Sequence, residues 1–343
     1  MNGTTFIFAN NIYKEIFNMK KYVLSADIGK YETEITGRDL EGTKEDIKTV
    51  ALRTKMYDLS NGYIEVEGDS YVVEFDGKEF IVGEQGQSKS DDTTKTQFLH
   101  QLACYTAITK FLEAGSKDNK IFMTLACPLS VLSIQEAKEE YKNFIKGDGP
   151  IKIKVDGKEY EFTIEDITIK AEGAGIIYLE PNLFKDKSVA IVDLGGLNMG
   201  FSLYINKVCK KEYRFIEECG TDRLLDLVRE QLSIYKKGNL TDKDIAEKAL
   251  NEGGLKKAGK LDLDSIDFVE TAKENYFKEV MGHIKAHKFD VDTFDAVVFV
   301  GGTSQHIKTN IVTALEHAYV PSNSQYCTVE GNYKVAIKKY GNI

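Results

Sequence analysis

The sequence predicts an α/β protein made of two related three-layer halves around a central cleft, and three observations carry that prediction. An apolar strand ends in an Asp-x-Gly turn at Ala26-Asp27-Ile28-Gly29-Lys30, and a second ends the same way at Val192-Asp193-Leu194-Gly195-Gly196. Two further strands follow each turn, so the order strand, turn, strand, strand occurs twice as an internal duplication of architecture. A third apolar run, Ala296-Val297-Val298-Phe299-Val300, stops in Gly301-Gly302-Thr303-Ser304.

At 343 residues the chain is long enough for two substantial cores. No apolar run reaches the length needed to cross a bilayer, so a cytoplasmic protein without membrane contact is expected. With 45 basic and 54 acidic residues the net charge is −9, which argues against direct binding to nucleic acid. The five cysteines are odd in number and lack Cys-x-x-Cys spacing, which fits a reducing compartment with neither disulfides nor a zinc site. His283 and His287 are four apart on an expected helix; with no third ligand evident they read as a solvated face rather than a metal pair.

Residues 1–19 read as an extension, in which Ile12, Tyr13, Ile16 and Phe17 would share one face of a short helix. Domain I is expected over 20–184. It opens with a buried strand at 21–27 and its hairpin partner at 31–37, then a third strand near 48–55. A small β-rich subdomain is expected at about 56–83, with strands at Tyr63–Val66 and Tyr71–Phe75 and a turn at Asp76-Gly77. A helix over about 96–113 leads to the strand Ile121–Leu125. Ser133-Ile134-Gln135-Glu136 has the form of a capping box opening a helix to about Ile145. A hairpin turns at Asp156-Gly157, between strands at Ile151–Val155 and Tyr160–Ile164, and the strand Ile167–Ala171 feeds Glu172-Gly173-Ala174-Gly175.

Domain II is expected over 185–322, starting with the second Asp-x-Gly unit and including a helical subdomain at about 219–288. Thr241-Asp242-Lys243-Asp244 resembles a helix N-cap, and a helix is expected over about 304–317. Residues 323–343 return to domain I as a terminal helix.

A single Asp-x-Gly turn closes a chain reversal and little more. Two of them in matching units suit a nucleotide held with a hydrated metal ion. A carboxylate sits beside a polyphosphate only with a cation between them, so Asp27 and Asp193 are the candidate Mg²⁺ residues, acting through water. Gly29, Gly195 and Gly196 let backbone amides approach phosphate, Lys30 adds positive charge, and Asn198 can donate hydrogen bonds. Gly301-Gly302-Thr303-Ser304, at the start of a helix, could meet the adenosine or α-phosphate. Glu172 is the catalytic candidate: it lies just past a strand among small residues that leave room for a γ-phosphate and a water.

In this order the residues resemble the superfamily of actin, sugar kinases and heat-shock chaperone ATPases. The resemblance places phosphate-1 at Asp27, Ile28, Gly29, Lys30 and Tyr31, and phosphate-2 at Asp193, Gly195, Gly196, Leu197 and Asn198. It places the adenosine loop at Gly301, Gly302, Thr303 and Gln305, with Gly220 approaching the nucleoside. Ile191–Gly196, Ala171–Gly175 and Asn323-Ser324-Gln325-Tyr326 with Gly331-Asn332-Tyr333 are similar to segments of the ParM-type bacterial actins that segregate plasmids. Phosphate-1 departs from the pattern with Lys30-Tyr31 where Ser/Thr is usual, and phosphate-2 has Leu197-Asn198 where Thr-Thr is commoner.

The resemblance implies an actin-like fold and an ATPase that binds ATP/ADP (or GTP) with Mg²⁺, using Glu172 to orient water. It implies head-to-tail self-assembly into filaments that move plasmid DNA through a ParR-type adaptor on a centromere-like site. The rival reading is a sugar-kinase-like phosphotransferase of the same superfamily. Only the first predicts nucleotide-dependent assembly.

Overall fold

The computed structural model describes residues 19–90 and 92–343, so the expected helical face Ile12–Phe17 lies outside the described residues. Two compact units form. One takes the described chain up to Glu172 and again from Val329 to Ile343; the other is Gly173–Thr328.

The first unit is built on β1 (Lys21–Ile28), β2 (Glu32–Asp39), β3 (Lys48–Arg53), β4 (Met56–Asp58), β5 (Ser70–Phe75), β6 (Lys78–Gly83), β7 (Asn119–Cys127), β8 (Ile151–Val155) and β9 (Lys158–Ala171). They form one nine-stranded sheet in the order β3-β2-β1-β7-β9-β8-β5-β6-β4. β1 runs antiparallel to β2 and parallel to β7, which is parallel to β9. Successive side chains of a strand face opposite ways. Leu24 and Ala26 of β1 accordingly join the large core, whereas Val23 packs with Tyr333, Ala336 and Tyr340 of the C-terminal segment.

Helix α1 (Phe98–Thr109) has buried residues almost all round, as a helix enclosed by a core requires. Leu102, Tyr105 and Ile108 pack with Met123 and Phe162 of the sheet. The single turn α2 (Leu129–Leu132) precedes α3 (Gln135–Lys146), which buries Tyr141 and Ile145.

Three local expectations are corrected. Tyr63–Val66 forms no strand, and Tyr63 is exposed because that segment has no sheet neighbour to pack against. Ser133 caps nothing: its hydroxyl donates to the Ser130 carbonyl of the preceding turn, and Ile134 stands at the N-cap. The strands expected at Tyr160–Ile164 and Ile167–Ala171 are one, β9, with a register shift where Ile121 and Phe122 face Ile164 and Asp166. Both Asp-Gly hairpin turns have positive φ at each residue, the primed geometry that matches strand twist: Asp76 at 51° and Gly77 at 73°, Asp156 at 49° and Gly157 at 76°.

The second unit begins with the turn α4 (Ile176–Leu179) and then repeats the device in β10 (Ser188–Leu194), β11 (Met199–Ile205) and β12 (Val208–Glu217). Helices α5 (Thr221–Tyr235), α6 (Lys243–Glu252) and α7 (Ile266–Ala286) follow, with a short ribbon of β13 (Lys256–Lys257) and β14 (Lys260–Leu261) between the last two. The Asp242 side chain caps α6 by accepting from the Asp244 amide at 2.9 Å. In α7, Val269, Ala272, Tyr276, Val280 and Ile284 recur at helical spacing and are buried in one core with Leu224, Val228, Val192 and Phe299.

β15 (Ala296–Val300) lies parallel to β10 and to β16 (Ala318–Tyr319), giving the order β12-β11-β10-β15-β16. The helix expected over 304–317 is broken into α8 (Thr303–His306) and α9 (Lys308–Ala314), because Ile307 leaves helical geometry at ψ 15°. The terminal helix α10 spans Cys327–Tyr340. Among the described residues no helix is long and apolar enough to cross a membrane.

Candidate functional site

In the first unit, Asp27 stands near the C-terminal end of β1, one residue before its last. Glu172 directly follows β9, and its amide donates to the Cys127 carbonyl at the end of β7 at 3.1 Å. Parallel strands end together, so residues far apart in the chain meet at one sheet edge. Between the two carboxylates lies a residue that the motifs did not reveal, Lys95. Its ammonium donates to Glu172 and lies 3.4 Å from Asp27 Oδ1.

Lys95 is only 4 % exposed and adopts φ 58°, a left-handed conformation unusual for a non-glycine residue. The turn that carries it is fixed by Asp92, whose carboxylate accepts from the Thr94 amide at 2.9 Å and the Thr96 amide at 3.0 Å. Burial pulls the Lys95 ammonium down, but Glu172 and Asp27 more than offset this and hold it above the ordinary lysine range. Burial raises the Glu172 carboxyl, and the Lys95 charge opposes that rise.

The remaining candidates of this unit are divided by burial. Ile28 is a core side chain, so only its backbone can face a ligand. Gly29 sits where an added Cβ would meet the Glu32 carbonyl at 2.3 Å, so the turn itself requires glycine. The Tyr31 ring is covered by the Arg53 guanidinium at 3.5 Å.

In the second unit, Asp193 holds the matching position on β10. The Gly195 amide is taken by the Asn198 carbonyl at 3.0 Å, closing the loop on itself. The half-exposed Gly196, Leu197 and Asn198 amides have no backbone acceptor among the described residues and can meet an anion. Gly220 is buried against this loop: a Cβ there would lie 2.5 Å from Leu197 C and 2.6 Å from Gly195 O. The amides of Gly220, Thr221 and Asp222 donate to the carbonyls of Leu197, Gly195 and Gly196. Gly220 therefore braces the loop.

Gly301 has φ 86°, and a Cβ there would meet Leu194 O at 2.3 Å and Asp193 Oδ1 at 2.9 Å. Thr303 is buried, with its hydroxyl 2.5 Å from that of Thr221. Gln305 donates to the Pro321 carbonyl at 2.6 Å and the Ser324 hydroxyl at 2.8 Å, so it clasps the Asn323–Tyr326 segment. α8 has only four residues, too short for the helix-terminus role expected of Gly301–Ser304; a Cβ on Gly302 would touch the Gln325 side chain at 3.8 Å. Gly173, at φ 71°, is a close neighbour of Asp193 that the motifs did not single out; a Cβ would meet Asp193 Oδ2 at 3.0 Å.

Taken by itself, the loop around Asp193 in the second unit fits a polyphosphate with a hard cation. The carboxylate donors are oxygens, as Mg²⁺ prefers, the loop amides are free to meet phosphate, and Gly301 keeps the space beside Asp193 clear of side chain.

Residues 25–175 match a family model described as the N-terminal domain of actin-like proteins. No curated protein matches the chain. Among solved structures, the chain is 47 % identical to the protein of an Alp12 filament, over 93 % of this chain and 99 % of that one, with TM-score 0.69. Two others show the fold at lower identity. A 15-stranded ParM filament from Clostridium botulinum is 16 % identical over 93 % of this chain and 100 % of that one, TM-score 0.71. The archaeal actin homologue Ta0583, solved in complex with ADP, is 14 % identical over 92 % and 99 %, TM-score 0.70. With an actin-like N-terminal domain and 47 % identity to a filament subunit along almost its whole length, the chain belongs to the actin-like proteins.

Proposed function

We propose that the chain binds ATP with Mg²⁺, assembles head-to-tail into filaments in that state, and hydrolyses the nucleotide to limit filament lifetime. The observation that carries this reading is the 47 % identity to a filament subunit across 99 % of that subunit's length. The ADP bound to a relative of the same fold supports the choice of ligand.

The amides of Gly196, Leu197 and Asn198 are suited to receive phosphate oxygens, as is the Gly29–Tyr31 turn with the Lys30 charge. Asp27 and Asp193 would hold the metal through water; bound there, Mg²⁺ supplies positive charge against the phosphate oxygens. Glu172 accepts a hydrogen bond from the attacking water and orients it in line. Gly301 and Gly302 leave room for the nucleoside end, and Gly220 keeps the phosphate loop in shape. A head-to-tail contact that does not close into a ring yields a helical polymer. Plasmid DNA is the cargo in this reading, held by a ParR-type adaptor, in keeping with the net charge of −9.

Light scattering and pelleting with Mg-ATP, with Mg-ADP and without nucleotide test assembly. Polymer should form with Mg-ATP and decay as phosphate is released; assembly indifferent to nucleotide would refute the reading. Glu172→Ala should still pellet with Mg-ATP while releasing phosphate about a hundredfold more slowly. Unchanged release would remove Glu172 from its role and leave the filament reading standing.

A further inference from the structure

Away from the phosphate loops, the second unit gathers donors that the chain order keeps apart. Cys219 lies between β12 and α5, while Glu279 and His283 lie one turn apart on α7. The ligand atoms of these three all fall within 4.8 Å of one another. Glu217, at the end of β12, adds a fourth: its Oε2 is 3.7 Å from His283 Nδ1. In tetrahedral zinc sites, bond lengths of about 2.0–2.3 Å put neighbouring donors about 3.5 Å apart.

Each donor is also held from behind. Arg223 Nε donates to both oxygens of Glu279, at 2.9 and 3.0 Å. His287 Nε2 lies 2.6 Å from Glu217 Oε1, and its ring stacks on Phe215. The Tyr276 hydroxyl donates to the Cys219 carbonyl at 2.8 Å, fixing the turn that carries the thiol. Outer partners of this kind orient metal ligands. A spacing of two between Glu217 and Cys219, then four between Glu279 and His283, is not a zinc motif; the fold creates the set.

We propose that Cys219, Glu279, His283 and Glu217 form a binding site for a thiolate-preferring divalent cation of the Zn²⁺ class. One sulfur, one imidazole nitrogen and two carboxylate oxygens are a donor set for zinc and its neighbours; Mg²⁺ and Ca²⁺ take oxygen alone. The half-buried Glu217, Glu279 and His283 offer an entry path to the buried thiol. The cation would tie the C-terminal half of α7 to the turn whose next three amides, those of Gly220, Thr221 and Asp222, hold the Gly195–Leu197 loop. Seated there, it stiffens that loop whether or not nucleotide is present. The site stands independently of the filament reading.

The test uses the full chain, stripped with a chelator and kept reduced without nucleotide, titrated with Co²⁺ and then Zn²⁺. One equivalent of Co²⁺ should give tetrahedral ligand-field bands and a thiolate-to-cobalt charge-transfer band, both bleached by Zn²⁺, and Zn²⁺ should raise the melting temperature. Cys219→Ser should abolish the charge-transfer band. His283→Asn and Glu279→Gln should each weaken Co²⁺ binding about tenfold or more, and His287→Asn, which reaches the donor set through Glu217, about tenfold. No charge-transfer band in the unaltered chain, or one that survives in Cys219→Ser, overturns the proposal. His283 is part-exposed, so His283→Asn reports even if the cysteine variant fails to fold; unaltered Co²⁺ affinity in that variant also overturns it.

Discussion

Lys95 is the residue on which the first unit's site turns. A buried ammonium between Asp27 and Glu172 neutralises two carboxylates that would otherwise repel each other. Lys95→Ala should cost about 2–3 kcal/mol in urea unfolding, at the lower end for a broken buried pair because both acids keep some solvent. Stability within a few tenths of the parent would show that the acids do not need it. Behind the site, His100 is fully buried, and neither ring nitrogen has a hydrogen-bond partner among the described residues. Burial, with help from the Lys95 charge, lowers its pKa to about 4. The folded chain keeps this ring neutral while the unfolded chain protonates it below about pH 6.5. Between those values the unfolded state binds the extra proton, so stability falls as pH drops from 6.5 to 4, by about 3 kcal/mol in all. His100→Leu should flatten that slope without loss at pH 7; urea midpoints measured across the window decide it. Asp27, Asp193 and Glu172 stood out in the sequence because each ends an apolar strand at small residues. Lys95 did not, because its placement comes from an Asp92–Thr96 turn whose composition is that of any polar loop.

At the level of elements, the second Asp-x-Gly loop is held by other turns rather than by its own strand alone. Gly301 is the tightest of these contacts. Gly301→Ala puts a Cβ into the Leu194 carbonyl and beside Asp193, on a backbone that L-residues reach at a cost of about 1–2 kcal/mol. We expect that variant to melt lower and to bind nucleotide more weakly in calorimetry; parent-like affinity would mean the loop tolerates the shift. Most strands and the repeated hairpins were legible from apolar alternation and Asp-Gly turns. Helix ends were not: Ser133 had the letters of a cap, yet its hydroxyl is spent on the turn before it. The break at Ile307 has no local signal either. It follows from docking α8 against the clasp that Gln305 makes with Pro321 and Ser324, an interaction sixteen to nineteen residues long in sequence.

For the whole molecule, the formal charge of −9 sets a condition on self-association. Subunits of like charge repel until salt shortens the range of the field to about 8–10 Å. Raising ionic strength from low to physiological should therefore lower the critical concentration for Mg-ATP polymer. A rise instead would mean that opposed charge pairs dominate the contact. The duplicated design itself was readable because both copies keep strand, turn and carboxylate in register. The cation site proposed at Cys219 was not, since its donors come from a strand end, a turn and a helix, with Cys219 and Glu279 sixty positions apart.

β9 runs without interruption from the exposed Asp156-Gly157 reversal to Glu172. Fourteen extended residues span about 45 Å, and the strand is anchored midway where Asp166 accepts from Tyr340 and Lys339. That single strand, paired with β7 and β8, joins the periphery to the carboxylate. In the proposed reading, a load on that outer reversal would reach the hydrolytic carboxylate along a single continuous strand.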